Sequence, residues 1–197
     1  MTSQNQHADE PSRTREAILD ATIGIMREEG YAAVSSRKVA ARAGLKSKLV
    51  HYYFRTMDEL FLAAYRREEQ KTFARHVEAL TAPDPLRALW ELTTDSSDTH
   101  LTLELVALAN HREPIRAALA QASERIRILQ AAAFTRVIDE LKLGDEDLPP
   151  LFLSLLMTGL SRIVAMDNVL GVTAGHEETF QSVDTLLRKL ADRAPRT

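Results

Sequence analysis

Apolar residues recur at intervals of three and four along almost the whole chain, glycine or proline fills the gaps, and no run alternates at period two. That pattern predicts an all-α protein. The first stripe, Ala17, Ile18, Ala21 and Ile25, follows Pro11 and stops at Gly30, a residue suited to the turn that ends a helix. A second, short helix starts at a Ser35 or Ser36 cap, buries Val39, Ala40 and Ala43, and ends at Gly44. A third, equally short, runs from Lys46 to Phe54, and Thr56-Met57-Asp58-Glu59 supplies a capping box that opens a longer helix through Leu80. Two short helices joined around a glycine, "AGLK", with longer helices before and behind, form the pattern of a helix-turn-helix module.

Beyond Pro83 and Pro85 the spacing predicts helices over 84–94, 99–110, 113–143, 150–170 and 176–193, for about nine in all. The breaks between them are "TDSSD", "LGDEDLPP" and "GVTAG". The segment 151–166 is apolar almost all round, with Ser154, Thr158 and Ser161 as a narrow small-polar stripe. A helix of that kind must be covered on every side. One chain covers part of it, and a symmetry mate would cover the rest. The last helix offers a single stripe, Phe180, Val183, Leu187 and Leu190, so the expected arrangement is a homodimer through the last two helices, packed as an intersubunit four-helix bundle. The same apolar run contains Arg162 and reads as too short and too polar to cross a bilayer.

Composition narrows the function. At 197 residues and 45% hydrophobic the chain can bury a substantial core, and the absence of cysteine excludes disulfides, zinc-thiolate sites and thiol catalysis. The start, "MTSQNQHADEPSR", is polar and lacks an apolar signal core, so a cytoplasmic protein with no membrane partner is expected. The expected division is a disordered polar segment at 1–12, a helix-turn-helix domain at 13–56, and a linker helix with a ligand-binding and dimerisation domain at 57–197.

Charge is divided unevenly. The net charge is -3, yet "SSRKVAARAGLKSKLVHYYF", Ser35 to Phe54, holds five cations and no anion, and widening the window to 30–57 adds Arg55 and still no carboxylate. A carboxylate there would repel the phosphates that lysine and arginine attract, so the stretch asks for a nucleic-acid partner. The outward face of the third helix can enter the major groove, which is wide enough for one helix.

Catalytic chemistry finds little support. His100 and His111 would lie about 16 Å apart even on one continuous helix, too far to share a metal. The chain has no Gly-rich phosphate loop, HExxH or GxSxG, and "AGHEE" is explained by a helix start enriched in Glu. No catalytic residue, metal or cofactor is expected.

From Arg15 to Leu60 the sequence resembles the TetR family of bacterial transcriptional regulators. The spacing from Gly30, through Gly44, to Tyr52-Tyr53-Phe54 and Asp58-Glu59-Leu60 carries the resemblance. It implies that Ser35 or Ser36 binds a phosphate and that Arg37 reaches a base edge or phosphate. It also implies that Lys46, Ser47, Lys48 and Leu49 face the groove, that His51 and Tyr52 touch the backbone, and that Val50, Tyr53 and Phe54 pack. Three positions depart from the family pattern: Leu49, where a small polar residue is common, His51, where tyrosine is common, and Met57, where lysine is usual.

The resemblance further implies a regulator, by family habit a repressor, that binds a near-palindromic operator as a dimer. A small effector would enter a cavity in the second domain and tilt the linking helix, here Thr56 to Leu80. The candidate lining is Trp90, Thr94, Leu103, Val106, Phe134, Met157, Leu160 and Val164, which suits a hydrophobic or amphipathic effector. Glu104, between Leu103 and Leu105, either meets a polar ligand group or faces solvent. The alternative is a helical small-molecule-binding or interaction protein that has lost specific DNA binding, which Leu49 and Met57 would favour.

Overall fold

A computed structural model describes residues 4–95, 98–140 and 149–191. Among them are nine α-helices: α1 (Gln4–Glu29), α2 (Ser36–Arg42), α3 (Ser47–Tyr53), α4 (Met57–Leu80), α5 (Pro85–Thr94), α6 (Thr99–Ala109), α7 (Glu113–Glu140), α8 (Pro150–Leu170) and α9 (His176–Ala191). A 3-10 turn, η1 (Tyr31–Ala33), links α1 to α2, and no strand occurs among the described residues. The expected all-α fold is what the chain adopts. The expected ends of the seventh and ninth helices, 141–143 and 192–193, lie outside the described residues.

The start of α1 differs from expectation. The segment read as disordered, 1–12, is helical from Gln4, and Pro11 lies inside the helix rather than before it. A proline removes one N–H and crowds one carbonyl, which bends or weakens a helix without always ending it. The stretch before it, "QNQHADE", has no apolar stripe, and a reading based on apolar periodicity finds nothing there.

The chain forms two compact units, Met1–Gln70 with His100–Ala120, and Lys71–Thr99 with Gln121–Thr197. A boundary drawn after residue 56 does not coincide with them, because α6 and the first turns of α7 belong with the N-terminal helices.

In the first unit α1 buries Ile18, Leu19, Ile25 and Met26, α2 adds Val39 and Ala40, and α3 adds Val50. Leu101, Leu105 and Leu108 of α6 are buried as well.

In the second unit Leu80, Leu89, Ala133 and Phe134 form a buried cluster, with Leu86, Leu129, Leu153 and Met157 against it. Helix α8 packs on α5 with its small-polar side inward. Ser154 and Ser161 are each only 1% exposed, and the Ser154 hydroxyl donates to Gln130 Oε1 at 2.6 Å. Its apolar side, including Leu155, Leu156, Ile163 and Met166, is exposed. The helix runs for 21 residues, so by length and composition it could span a membrane, a point on which the sixteen-residue reading was too short.

Candidate nucleic-acid interface

The reading module is assembled from two seven-residue helices, too short to be stable alone. What holds α2 is a cap and a buried face. Ser35 is extended at φ -143°, and its hydroxyl accepts from Lys38 N–H at 3.3 Å. Ser35 is therefore the cap and Ser36 the first helical residue. Gly44, at φ 68°, turns the chain toward α3 with a backbone angle that a β-carbon would disfavour. Lys46 caps α3 without using its side chain, which leaves the ammonium exposed.

The aromatic tail of α3 divides. Phe54 is 5% exposed, with the Arg15 guanidinium 5.5 Å from its ring centre, while Tyr52 is 78% exposed and meets Tyr53 edge-on. Val50 is buried and Tyr53 half-buried, so the three expected packing residues lie on the inner side. Of the expected contact residues, Ser35, Arg37, Lys46, Lys48, His51 and Tyr52 are exposed, and Ser36, Ser47 and Leu49 are half-buried.

Charge in space differs from charge in sequence. Arg42 donates to both carboxylate oxygens of Glu28, at 2.7 and 2.5 Å, and Lys38 pairs with Glu29. The hydrogen bond from Arg42 holds the Glu28 carboxyl below its usual range. Gly24 makes room for this pairing, since a β-carbon there would stand 2.7 Å from the Arg42 guanidinium. Two of the cations are thus neutralised by the end of α1. Arg37, Lys46, Lys48 and Arg55 remain exposed, and among the described residues no carboxylate pairs with their side chains.

The start of α4 is closed by its capping residues. Glu59 N–H donates to Thr56 Oγ1 at 3.1 Å, and the Glu59 carboxylate accepts from Arg55 N–H at 2.8 Å. Sequence reasoning did not find Glu28, Glu29 or Arg112, and it singled out Glu104 without finding its partner. Their partners lie 9 to 73 residues away, and no local spacing marks such pairs.

The candidate effector residues fall in both units. Trp90, Thr94, Phe134, Met157, Leu160 and Val164 belong to the second, whereas Leu103 and Val106 belong to the first. Trp90 is buried and meets Phe180 edge-on at 5.8 Å, and Thr94 hydrogen-bonds the Trp90 carbonyl at 2.7 Å. Phe134 and Val164 are buried, Met157 packs on the core cluster, Leu160 is half-buried and Val106 is 50% exposed. Glu104, expected to meet a polar ligand group or to face solvent, is half-buried and accepts a hydrogen bond from the backbone N–H of Tyr31.

The sequence profile described as "Bacterial regulatory proteins, tetR family" matches residues 18–64, the span that holds the last turns of α1, both short helices and the start of α4. Residues 18–64 carry the TetR-family helix-turn-helix region. Among curated TetR-type relatives, the HTH-type transcriptional regulator BetI of Yersinia pestis is 32% identical over 89 residues, covering 42% of this chain and 45% of BetI. BetI of Rhizobium meliloti is 35% identical over 57 residues, covering 29% of this chain and 28% of the relative. The chain therefore matches less than half the length of these relatives. Solved structures extend the likeness of fold to nearly the whole molecule. A TetR regulator from Haloarcula marismortui superposes with a TM-score of 0.72 at 21% identity over 93% of this chain and 97% of that one. A transcriptional regulator from Saccharomonospora viridis, solved with choline, gives 0.71 at 22% over 92% and 95%.

Proposed function

We propose that this chain is a TetR-family, ligand-responsive, DNA-binding transcriptional regulator that acts as a repressor. It binds a near-palindromic operator as a homodimer and is released by a small hydrophobic or amphipathic effector. The observation that carries the reading is that Arg37 of α2 and Lys46, Lys48 and Arg55 on and beside α3 are exposed with no carboxylate on their side chains among the described residues, while neighbouring Lys38 and Arg42 each pair with a glutamate. Uncovered cations release counterions from DNA, and covered ones do so far less. Ser35, Ser36, His51 and Tyr52 add hydrogen-bond donors for phosphates, and Ser47 and Leu49 face base edges, Leu49 through apolar contact with a thymine methyl. Met57 removes a cation from the start of α4, and Arg55 supplies one two residues earlier.

The exposed apolar side of α8, together with Phe180 and Leu186 of α9, supports dimerisation through these helices. The mixed character of the candidate residues Trp90, Thr94 and Met157 supports an effector with both apolar and polar parts, and the Saccharomonospora viridis neighbour was solved with choline. An effector needs only a differential affinity of about 1–3 kcal/mol between two arrangements to change DNA affinity about 5- to 150-fold.

The test is an anisotropy titration against DNA upstream of the chain's own gene at two salt concentrations. Tight binding that weakens about 10³- to 10⁵-fold between roughly 50 and 200 mM salt is expected for a dimer presenting this many cations. Absent or salt-insensitive binding to every fragment would favour a helical binding protein without DNA specificity.

A further inference from the structure

A carboxylate within α6 is held against the end of another helix. Glu104 Oε2 accepts from Tyr31 N–H at 2.6 Å. The ladder of α1 ends with Gly30 N–H on the Met26 carbonyl, so Tyr31 carries the first amide beyond it, and a charged acceptor satisfies that amide more strongly than a neutral one. Gly30 makes the approach possible. At φ 83° it takes a conformation that disfavours other residues, and a β-carbon there would stand 3.1 Å from Glu104 Oε2. From Tyr31 the chain runs through η1 to Ser35, the cap of α2.

The other side of the module is held from the same segment. Arg112, just beyond α6, donates to Asp58 Oδ1 at 2.9 Å, and Asp58 lies in the first turn of α4, directly after α3. Leu101, Leu105 and Leu108 of the same helix are buried in the first unit. One eleven-residue helix with its following turn therefore grips the segment that leads into α2 and the segment that leaves α3.

We propose that Glu104 is a positioning residue for DNA binding, with Arg112 as its counterpart, so that α6 straps the entry and the exit of the helix-turn-helix and sets how α2 and α3 are presented. The proposal rests on the DNA-binding reading above and adds two groups that touch no DNA. It also makes a prediction of sign. A carboxylate acting only as a surface charge repels phosphates, and its removal tightens DNA binding. A carboxylate that positions the module weakens binding when it is lost.

Glu104→Leu, Glu104→Gln and Arg112→Gln are compared with the unaltered chain by amide hydrogen exchange at Tyr31 in the free protein and by operator affinity across a salt series. Glu104→Leu is expected to speed Tyr31 exchange about tenfold and weaken DNA binding about tenfold, with the salt slope unchanged because no phosphate contact is lost. Glu104→Gln keeps an oxygen acceptor and is expected to restore both to within about threefold. Arg112→Gln is expected to weaken DNA binding about twofold and leave Tyr31 exchange as it was. Unchanged or tighter DNA binding by Glu104→Leu, or unchanged Tyr31 exchange, overturns the proposal. Should Glu104→Leu fail to fold, Arg112→Gln decides, and unaltered affinity in that variant overturns the strap. An unaltered chain that binds no DNA overturns the functional reading instead, and Tyr31 exchange in Glu104→Leu then judges the contact by itself.

Discussion

Arg42 and Lys48 belong to the same carboxylate-free stretch, and the fold gives them different surroundings. Arg42 lies across Gly24 onto Glu28, whereas Lys48 is exposed with no carboxylate against it among the described residues. Lys48→Ala is expected to weaken binding to every DNA sequence and flatten the salt slope by about one for each chain engaged, and Arg42→Ala to leave the slope as it was. Equal slopes for the two variants would show that Glu28 does not shield Arg42. The cations and the turn glycine were legible in the sequence, and the cap was narrowed to Ser35 or Ser36, because each acts through its nearest neighbours. The shielding was not, since it depends on the end of α1 folding back beside α2, and nothing in the order of residues announces which arginine will find a glutamate. Glu104 was visible as an anomaly among leucines, but its partner is a backbone amide, which carries no side-chain signal.

Helix boundaries were the most legible elements where a cap or a glycine marks them. Ser35, Thr56, Asp84 and Gly171 stand where α2, α4, α5 and α8 begin or end. Pro11 misled because proline can lie inside a helix. Helix α8 was read as apolar almost all round with a narrow small-polar stripe, and that stripe proved to be on its buried side, where Ser154 is tied to Gln130 of α7. Small residues allow close helix packing, and the bulky residues are left on the other face.

Within α4, His76 is buried, and its Nδ1–H donates to the Thr72 carbonyl at 2.8 Å. Burial pushes its pKa below the ordinary value; the bond to Thr72 opposes this, and neighbouring Arg75 reinforces it. The folded chain therefore binds fewer protons than the unfolded chain, so this contribution to stability is complete above the unfolded pKa of about 6.5 and is lost as pH falls toward the lower folded value. Thermal melts from about pH 7.5 to pH 5 are expected to show a shallower loss of Tm for His76→Gln than for the unaltered chain. Parallel curves would mean that His76 is not held neutral by the fold.

As a whole, the molecule joins a helix-turn-helix region that matches a family profile to a helical remainder whose fold resembles that of solved regulators at low identity. Physical economy explains the contrast in legibility. A helix that must enter a groove is constrained residue by residue in charge, length and turn, whereas a cavity and a dimer face require only apolar residues of about the right volume, which many sequences supply. The exposed side of α8 was foreseen as an uncovered surface, but which of its residues would be outermost depended on the packing of α5 and α7. If two copies join through α8 and α9, each presents one α3 to DNA, and a dyad in the protein requires a dyad in the site. Selection from a random pool of duplex DNA, followed by sequencing of the bound fraction, reads that requirement. Enrichment of one motif made of two inverted half-sites is expected. A bound fraction with no motif, or with a single unrepeated half-site, would contradict a dimeric sequence-specific regulator.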